Sequence, residues 1–419
     1  MAFDGPTIRV QRVVRERTLF QLMPDKVTLS EVGAPAKRPP DVVVLPSRKG
    51  YLDFAGPEYD LPPEIVARLV SGQAALAFDC SGEGIVHTLE RTIALHSYIE
   101  RIGVSPQHCV YITQDRKYSA AYLAQCQAMG WREPVRVLNY DYFIKALFRD
   151  LHNVGEEIFE RRLRTHRERR HSRNKRYICL NFTPRPHKVF FLLQLIEDDL
   201  WRQGFVSFGG FGIRGDRSVG LRKMMKMFMR DEGWGDLPSR LGHLIPELDE
   251  RGQVLFGEMS RMKDGSDRIK SPSHDAEMPE QHESWFTIAT ETEMSGPLRV
   301  TEKSFKPLVN FHPVIVLGNP GALELIREFG FRTFPNYFDE SYDAELEPTA
   351  RFARVAAEVR RLCRLDEHEL KRLEEEIDET LVHNARWGLT KLPAVYRDTI
   401  DKALLEDIGR ALAPDLVTI

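Results

Sequence analysis

The sequence lacks any run of about 18 apolar residues, the length a helix needs to cross a bilayer. Its opening stretch, MAFDGPTIRVQRVVRERTLF, also lacks the apolar core of a secretory signal. Cysteine is scarce: Cys80, Cys109, Cys126, Cys179 and Cys363 are odd in number, dispersed and never in a Cys-x-x-Cys pair. That argues against a disulfide framework and against a Cys-rich zinc site. Net charge is nearly absent as well. Lys+Arg (59) against Asp+Glu (62) leave −3, so no general electrostatic pull toward nucleic acid or an anionic membrane is expected. A cytoplasmic location follows as the expectation. What is present is globular: 42% hydrophobic and 29% charged residues exclude a disordered chain, and 419 residues suggest two domains.

The apolar pattern alternates in period. Short, β-branched or apolar runs at 41–46, 74–80, 109–113 and 135–140 are separated by helix-period segments at 61–72, 86–103 and 118–130, with Gly103 and Gly130 closing the last two. Apolar strands separated by helices predict a parallel sheet covered on both faces. Residues 1–40, polar and proline-bearing, read as an irregular lead-in. A second alternation follows: a strand at 175–182, a helix at 187–204 closed by Gly204, a strand and Gly-rich turn at 205–213, a strand at 285–292, a helix at 300–311, a strand and Gly-rich turn at 312–321 and a helix at 321–330. Residues 260–283 have no hydrophobic period and read as a long loop. The last third is helical, over 349–362 and 366–388.

The expected fold class is α/β: two Rossmann-like domains with a helical C-terminal region. The boundaries are 1–150, a basic helical connector at 151–176, an α/β domain at 177–345, and helices at 346–419 packing back across the domains. Sheets of this kind bind ligands outside the carboxyl ends of their strands, and clefts between domains favour ligands. Ser47, Arg48 and Lys49, Asp79, Ser81 and Glu83, and Gln114, Asp115 and Arg116 follow such ends in the first half.

In the second half, Thr301-Glu302-Lys303 stands where a loop enters a helix. A helix start offers free N–H groups and partial positive charge, and Lys303 adds a full charge, a combination suited to a diphosphate. The plainer reading, a capped helix with charged first-turn residues, stays open beside it. His383-Asn384 lies on a charged helix and reads as packing.

These residues carry a resemblance. Phe286…Glu291, then Val300-Thr301-Glu302-Lys303, then Pro313 to Gly318 resemble the donor-binding domain of α-1,3-type fucosyltransferases, which are inverting enzymes of GT-B fold that use GDP-fucose. LNFTPRPHKVFFLLQL resembles the same family, with Asn181 at a strand end and a basic residue, Arg185, His187 or Lys188, on the next helix. The whole layout, including Leu317 to Phe334, Asp339 to Asp343 and His383-Asn384, is similar to uncharacterised bacterial and phage glycosyltransferase-like proteins over about residues 175–390.

The resemblance implies two domains of GT-B type and a nucleotide-sugar donor, with a GDP-sugar as first guess. It implies transfer to a glycan, lipid-linked or protein acceptor, with inversion and with no metal or other cofactor required. Lys303, Thr301, Asn181, Arg185, His187, Lys188 and Gly318 would hold the donor. Glu302 or Glu291 would stabilise charge on the sugar. The base for the acceptor hydroxyl would be Asp79, Glu83 or Asp115. The rival is a non-catalytic nucleotide- or glycan-binding protein on the same fold.

Two basic segments complete the reading. RRLRTHRERRHSRNKR (161–176) has no interleaved aromatics for base stacking and reads as a solvated helix. LRKMMKMFMR (221–230) has the Met and Phe of a packing face. Both leave open a peripheral contact with the inner face of a membrane, which would suit a lipid-linked acceptor. Nucleic acid is not the expected partner.

Overall fold

The computed structural model describes residues 8–13, 18–31, 39–46, 59–82, 85–150, 155–170, 173–181, 183–211, 232–251 and 279–412, with isolated positions at 56, 220, 222 and 226. The chain forms two compact units. One comprises residues 1–149, 296–299 and 393–419; the other comprises 150–295 and 300–392.

The first unit contains strands β1 (Ile8–Arg12), β2 (Val27–Glu31), β3 (Val42–Pro46), β4 (Ala75–Cys80), β5 (Cys109–Thr113) and β6 (Arg136–Asn139). Its first helices are α1 (Pro63–Val70), α2 (Leu89–Ile102), α3 (Tyr118–Ala128) and α4 (Tyr142–Asp150). The second unit contains α5 (Glu156–Arg169), β7 (Lys175–Asn181), α6 (Pro186–Glu197), β8 (Gly204–Phe208) and β9 (Ser284–Thr290). It continues with α7 (Glu302–Val309), β10 (Val314–Leu317), α8 (Ala322–Glu328), α9 (Pro348–Arg364) and α10 (Glu367–Arg386). Helix α11 (Asp401–Gly409) returns to the first unit.

All strand pairs in both sheets are parallel. The first sheet runs β2-β1-β3-β4-β5-β6 and the second β8-β7-β9-β10. Within each unit the strand order is thus 2-1-3-4, extended in the first by two more strands. Strand order reverses between β1 and β3 in one sheet and between β7 and β9 in the other. In doubly wound sheets that reversal opens a crevice at the carboxyl ends of the two strands.

The period-2 alternation of a strand explains why the central strands are apolar throughout. Val43, Leu45, Leu76, Phe78 and Tyr111 face a core shared with Leu69, Leu95, Tyr98 and Tyr122 of α1, α2 and α3. Val44, Ala77, Val110 and Ile112 face the opposite core, closed by Leu404, Leu405 and Ile408 of α11. Helix α11 is pinned there by polar contacts. Asp401 accepts hydrogen bonds from Lys145 (2.7 Å) and Tyr140 (2.8 Å), and its side chain and that of Lys145 are both buried. Asp401→Asn keeps the shape but leaves the Lys145 charge uncompensated. A loss of about 2 kcal/mol is expected, read as a lower urea midpoint at unchanged slope.

Several expectations need correction. Residues 1–40 are not an irregular lead-in, because they supply β1 and β2 at one edge of the first sheet. The helix expected to run from 187 to Gly204 ends at Glu197. Asp199, at φ 53°, turns the chain, and Gly204 opens β8, where a Cβ would fall on the Tyr177 ring. Helix α5 belongs to the second unit, with Phe159, Leu163 and His166 buried, so the basic segment is not a free connector. The C-terminal helices divide, 348–392 in the second unit and 393–412 in the first. Ser47, Arg48, Lys49 and Glu83, nearly all of 221–230 and most of 260–283 lie outside the described residues. Among the described residues no helix is long and apolar enough to cross a membrane.

Candidate functional site

In the second unit, nearly every residue expected to hold the donor lies at the β7/β9 reversal or in the segments that follow it. Asn181 ends β7 and is buried. Its Oδ1 accepts from the Thr290 hydroxyl at the end of β9 (2.6 Å), which joins the two strand ends. Helix α6 then starts with Arg185 at its N-cap, Pro186, His187 and Lys188. Pro at the first helical position is favoured because its missing N–H is unneeded there.

Glu291 follows β9 and is 2% exposed. Its carboxylate accepts from the Thr301 N–H (3.0 Å), the Thr301 hydroxyl (2.7 Å) and the Ser304 hydroxyl (2.6 Å). Burial raises its pKa, but the Lys303 charge and the Ser304 and Thr301 hydrogen bonds outweigh that and hold it below the ordinary glutamate value. Thr301 stands at the N-cap of α7 with an extended backbone, yet its hydroxyl serves Glu291 and does not cap the helix. The cap role has passed to a strand-end carboxylate, which also complements the helix dipole. Glu291 therefore fixes the start of α7 on β9, and its oxygens are committed to that task.

Lys303 is about one-third exposed. Its Nζ lies 3.0 Å from Thr301 Oγ1 and 3.3 Å from Glu302 Oε1. Glu302 is 6% exposed, and its Oε2 has no hydrogen-bond partner among the described residues. Lys188 is buried at the same place. Burial and the charges of Lys303 and Arg185, opposed by Glu291, push its ammonium pKa down to about 7. Arg185 pairs with Glu293 (3.3 Å).

His187 does not join the cations. Burial and the Lys188 charge push its pKa to about 3, so the ring is neutral, and its Nε2 lies 2.9 Å from the Glu291 carbonyl. With a carbonyl as partner, Nε2 carries the hydrogen and donates it. Gly318 contributes clearance. A Cβ there would stand 3.1 Å from Glu291 Cβ and 3.2 Å from Cγ. Gly318→Ala is expected to cost about 1–2 kcal/mol by crowding Glu291, checked by thermal unfolding.

One organising residue escaped the sequence reading. Arg351 of α9 is 1% exposed and donates to the carbonyls of Gly318 (2.9 Å), Glu345 (2.5 Å) and Met294. It ties together the segments leaving β9 and β10. The available signal was its place on the buried stripe of α9 with Val355, Val359 and Leu362. Asp343 caps α8 by accepting from the N–H groups of Leu323 (2.9 Å) and Glu324 (3.3 Å). Asn384 clasps the backbone of Arg332 through both side-chain atoms, and His383 lies 3.2 Å from the Gly330 carbonyl.

In the first unit, Asp79 and Asp115 end adjacent strands or follow them. Asp79 accepts from Thr18 Oγ1 (2.6 Å) and the Leu19 N–H (2.7 Å) on one oxygen, and from the Ser81 hydroxyl (2.6 Å) and N–H (3.1 Å) on the other. It clamps loops. Asp115 differs: Oδ1 accepts from the Leu298 (2.8 Å) and Lys117 (3.0 Å) N–H groups, while Oδ2 accepts no hydrogen bond among the described residues. Burial raises its pKa above the ordinary aspartate value despite those bonds. Among the described residues no group of three His, Cys, Asp or Glu side chains is arranged to hold a metal ion.

What the chain shows is therefore a parallel α/β protein with two sheets, in which Arg185, Lys188 and Lys303 gather beyond the strand reversal of the second sheet. No protein-family model matches it, and no curated protein does so. Among solved structures it is similar to the N-terminal domain of Candida albicans trehalose-6-phosphate phosphatase, at 11% identity. The match covers 89% of this chain and 71% of that one, with a TM-score of 0.39.

Proposed function

We propose that the protein is a glycosyltransferase of GT-B type, moving a sugar from a nucleotide-sugar donor, with a GDP-sugar as first guess, to a glycan, lipid-linked or protein acceptor. The observation that carries this reading is the gathering of Lys303, Lys188 and Arg185 around the starts of α6 and α7, at the strand reversal of the second sheet. A leaving diphosphate carries charge that needs such donors. In the reaction an acceptor hydroxyl oxygen bonds to the anomeric carbon, and the bond from that carbon to the phosphate oxygen breaks. The hydroxyl proton passes to a carboxylate. Asp115 is the proposed base, since Asp79 has both oxygens committed. Glu302, with one buried oxygen unpaired, is favoured over Glu291 for facing the positive sugar. A metal ion is not part of this proposal, since cationic side chains and helix starts supply the positive charge.

The test is a thermal-shift screen against GDP, UDP, CMP and TDP and their sugars. One nucleotide and its sugar should raise the melting temperature, and acceptor-dependent sugar release should follow. Absence of any shift removes the donor site. Binding without release to any acceptor moves the protein to the non-catalytic reading.

A further inference from the structure

Beyond the strand reversal, Lys188 and Lys303 stand beside the Glu291 carboxylate, which is already committed, and Arg185 stands beside Lys188. Glu291 is engaged by Thr301 and Ser304, Arg185 leans on Glu293, and Lys303 contacts Glu302 and Thr301. Lys188 has nothing comparable. Its residue is 4% exposed, and Nζ makes no hydrogen bond or ion pair among the described residues. The groups that face it are Arg185 and neutral His187 on its own helix, Cys179 on β7, Glu291 after β9 and Lys303 on α7. An ammonium with no direct hydrogen-bond acceptor, beside two like charges that only the committed Glu291 opposes, is costly to bury.

We propose that this cluster takes up a proton together with its anion, and that the Lys188 amine is the group that receives it. In the ligand-free protein the amine is stored neutral above about pH 7. An entering phosphate group supplies further negative charge and the missing acceptor oxygens, and Lys188 takes a proton from solvent and holds the anion. Burial, with Lys303 and Arg185, has already moved its pKa to about 7, so storage as the amine is complete only on the alkaline side of neutrality. The inference relies on the nucleotide-sugar reading only for which anion is natural.

Sulfate is the probe, because it is a tetrahedral dianion with no proton to exchange at these pH values. Its affinity for the wild type should be level below about pH 7 and should weaken toward tenfold per pH unit above it. Lys188→Arg should bind with a level profile, since guanidinium stays charged. Lys188→Met should bind at least about tenfold more weakly, without the slope. A level wild-type profile, a slope that survives in Lys188→Met, or no sulfate binding at any pH overturns the proposal.

A ligand-free measurement supplies a second check. The folded pKa lies below the unfolded value of 10.5, so the unfolded state binds the extra proton between them. Wild-type stability should therefore rise with pH through that window, and Lys188→Met should lack the rise. An unchanged rise in the variant also overturns the proposal. Sloped sulfate binding that no nucleotide displaces would uphold proton uptake while removing the donor reading. Nucleotide binding with a level profile would do the reverse.

Discussion

Glu291→Ala is expected to remove about 3–5 kcal/mol of stability, because it strips a buried charged acceptor from three donors at once. The Thr301 N–H, the Thr301 hydroxyl and the Ser304 hydroxyl would each lose a partner where little water reaches. The start of α7 would lose its only carboxylate cap among the described residues, and with it the placement of Lys303 and Glu302. Glu291→Gln separates charge from shape. It can still accept from Thr301 and Ser304, so a smaller loss of about 1–2 kcal/mol is expected. The pH dependence gives the sign. A carboxyl whose folded pKa lies below its unfolded value of 4.5 contributes stability that is complete above that value and is lost as pH falls through the folded one. Wild-type stability should therefore drop on acidification below about pH 4.5, with a shallower drop in Glu291→Gln. Equal slopes would show that Glu291 is not held as the anion. If Glu291→Ala matched the wild type in urea midpoint, the cap assignment itself would fail.

The chemistry of that position was legible in the chain, but its role was not. Thr301-Glu302-Lys303 could be placed at a helix start from local pattern alone, and Asn181 at a strand end likewise. The resemblance makes Glu291 a carboxylate that faces a sugar. Its donors, Thr301 and Ser304, lie 10 and 13 residues downstream and reach it only once α7 has folded back on β9. No spacing rule encodes that return. Arg351 has a related reason: two of its acceptors are carbonyls 33 and 57 residues away, and a carbonyl has no sequence signature. The strands divide in the same way. β3, β4 and β5 are buried on both faces and read as apolar runs, whereas β1 buries only Val10 fully and passed for loop. Gly204 misled because glycine is demanded there by the Tyr177 ring and not by a helix end. His187 and Lys188 were equal candidates as cations in the sequence. Burial is what makes one a neutral donor and the other a displaced amine.

Lys303→Ala is expected to lower sugar transfer by about 100- to 1,000-fold on the reading proposed here, the scale of losing one strong donor to a developing negative charge. The effect should be larger on kcat/KM than on folding. The Lys303 side chain is about one-third exposed, and its direct contacts are one hydroxyl and one neighbouring carboxylate, so its removal leaves the apolar core intact and costs stability only through the charge support it gives Glu291. A stability loss of at most about 1 kcal/mol would separate this variant from Glu291→Ala. Lys303→Arg should restore part of the activity, since a charge returns with different reach. Donor hydrolysis without acceptor should fall in parallel with transfer, because both break the same bond to phosphate. Glu302→Gln should act differently. It leaves the phosphate contacts in place and removes a negative charge proposed to face the sugar, so kcat should fall with little change in nucleotide affinity. If Lys303→Ala and Glu302→Ala both retained full donor hydrolysis and transfer, α7 would be scaffold and the leaving group would have to be held elsewhere. If Lys303→Ala abolished nucleotide binding while no acceptor ever released sugar, the same cations would instead belong to a nucleotide-binding protein, and the Lys188 amine would be part of that recognition.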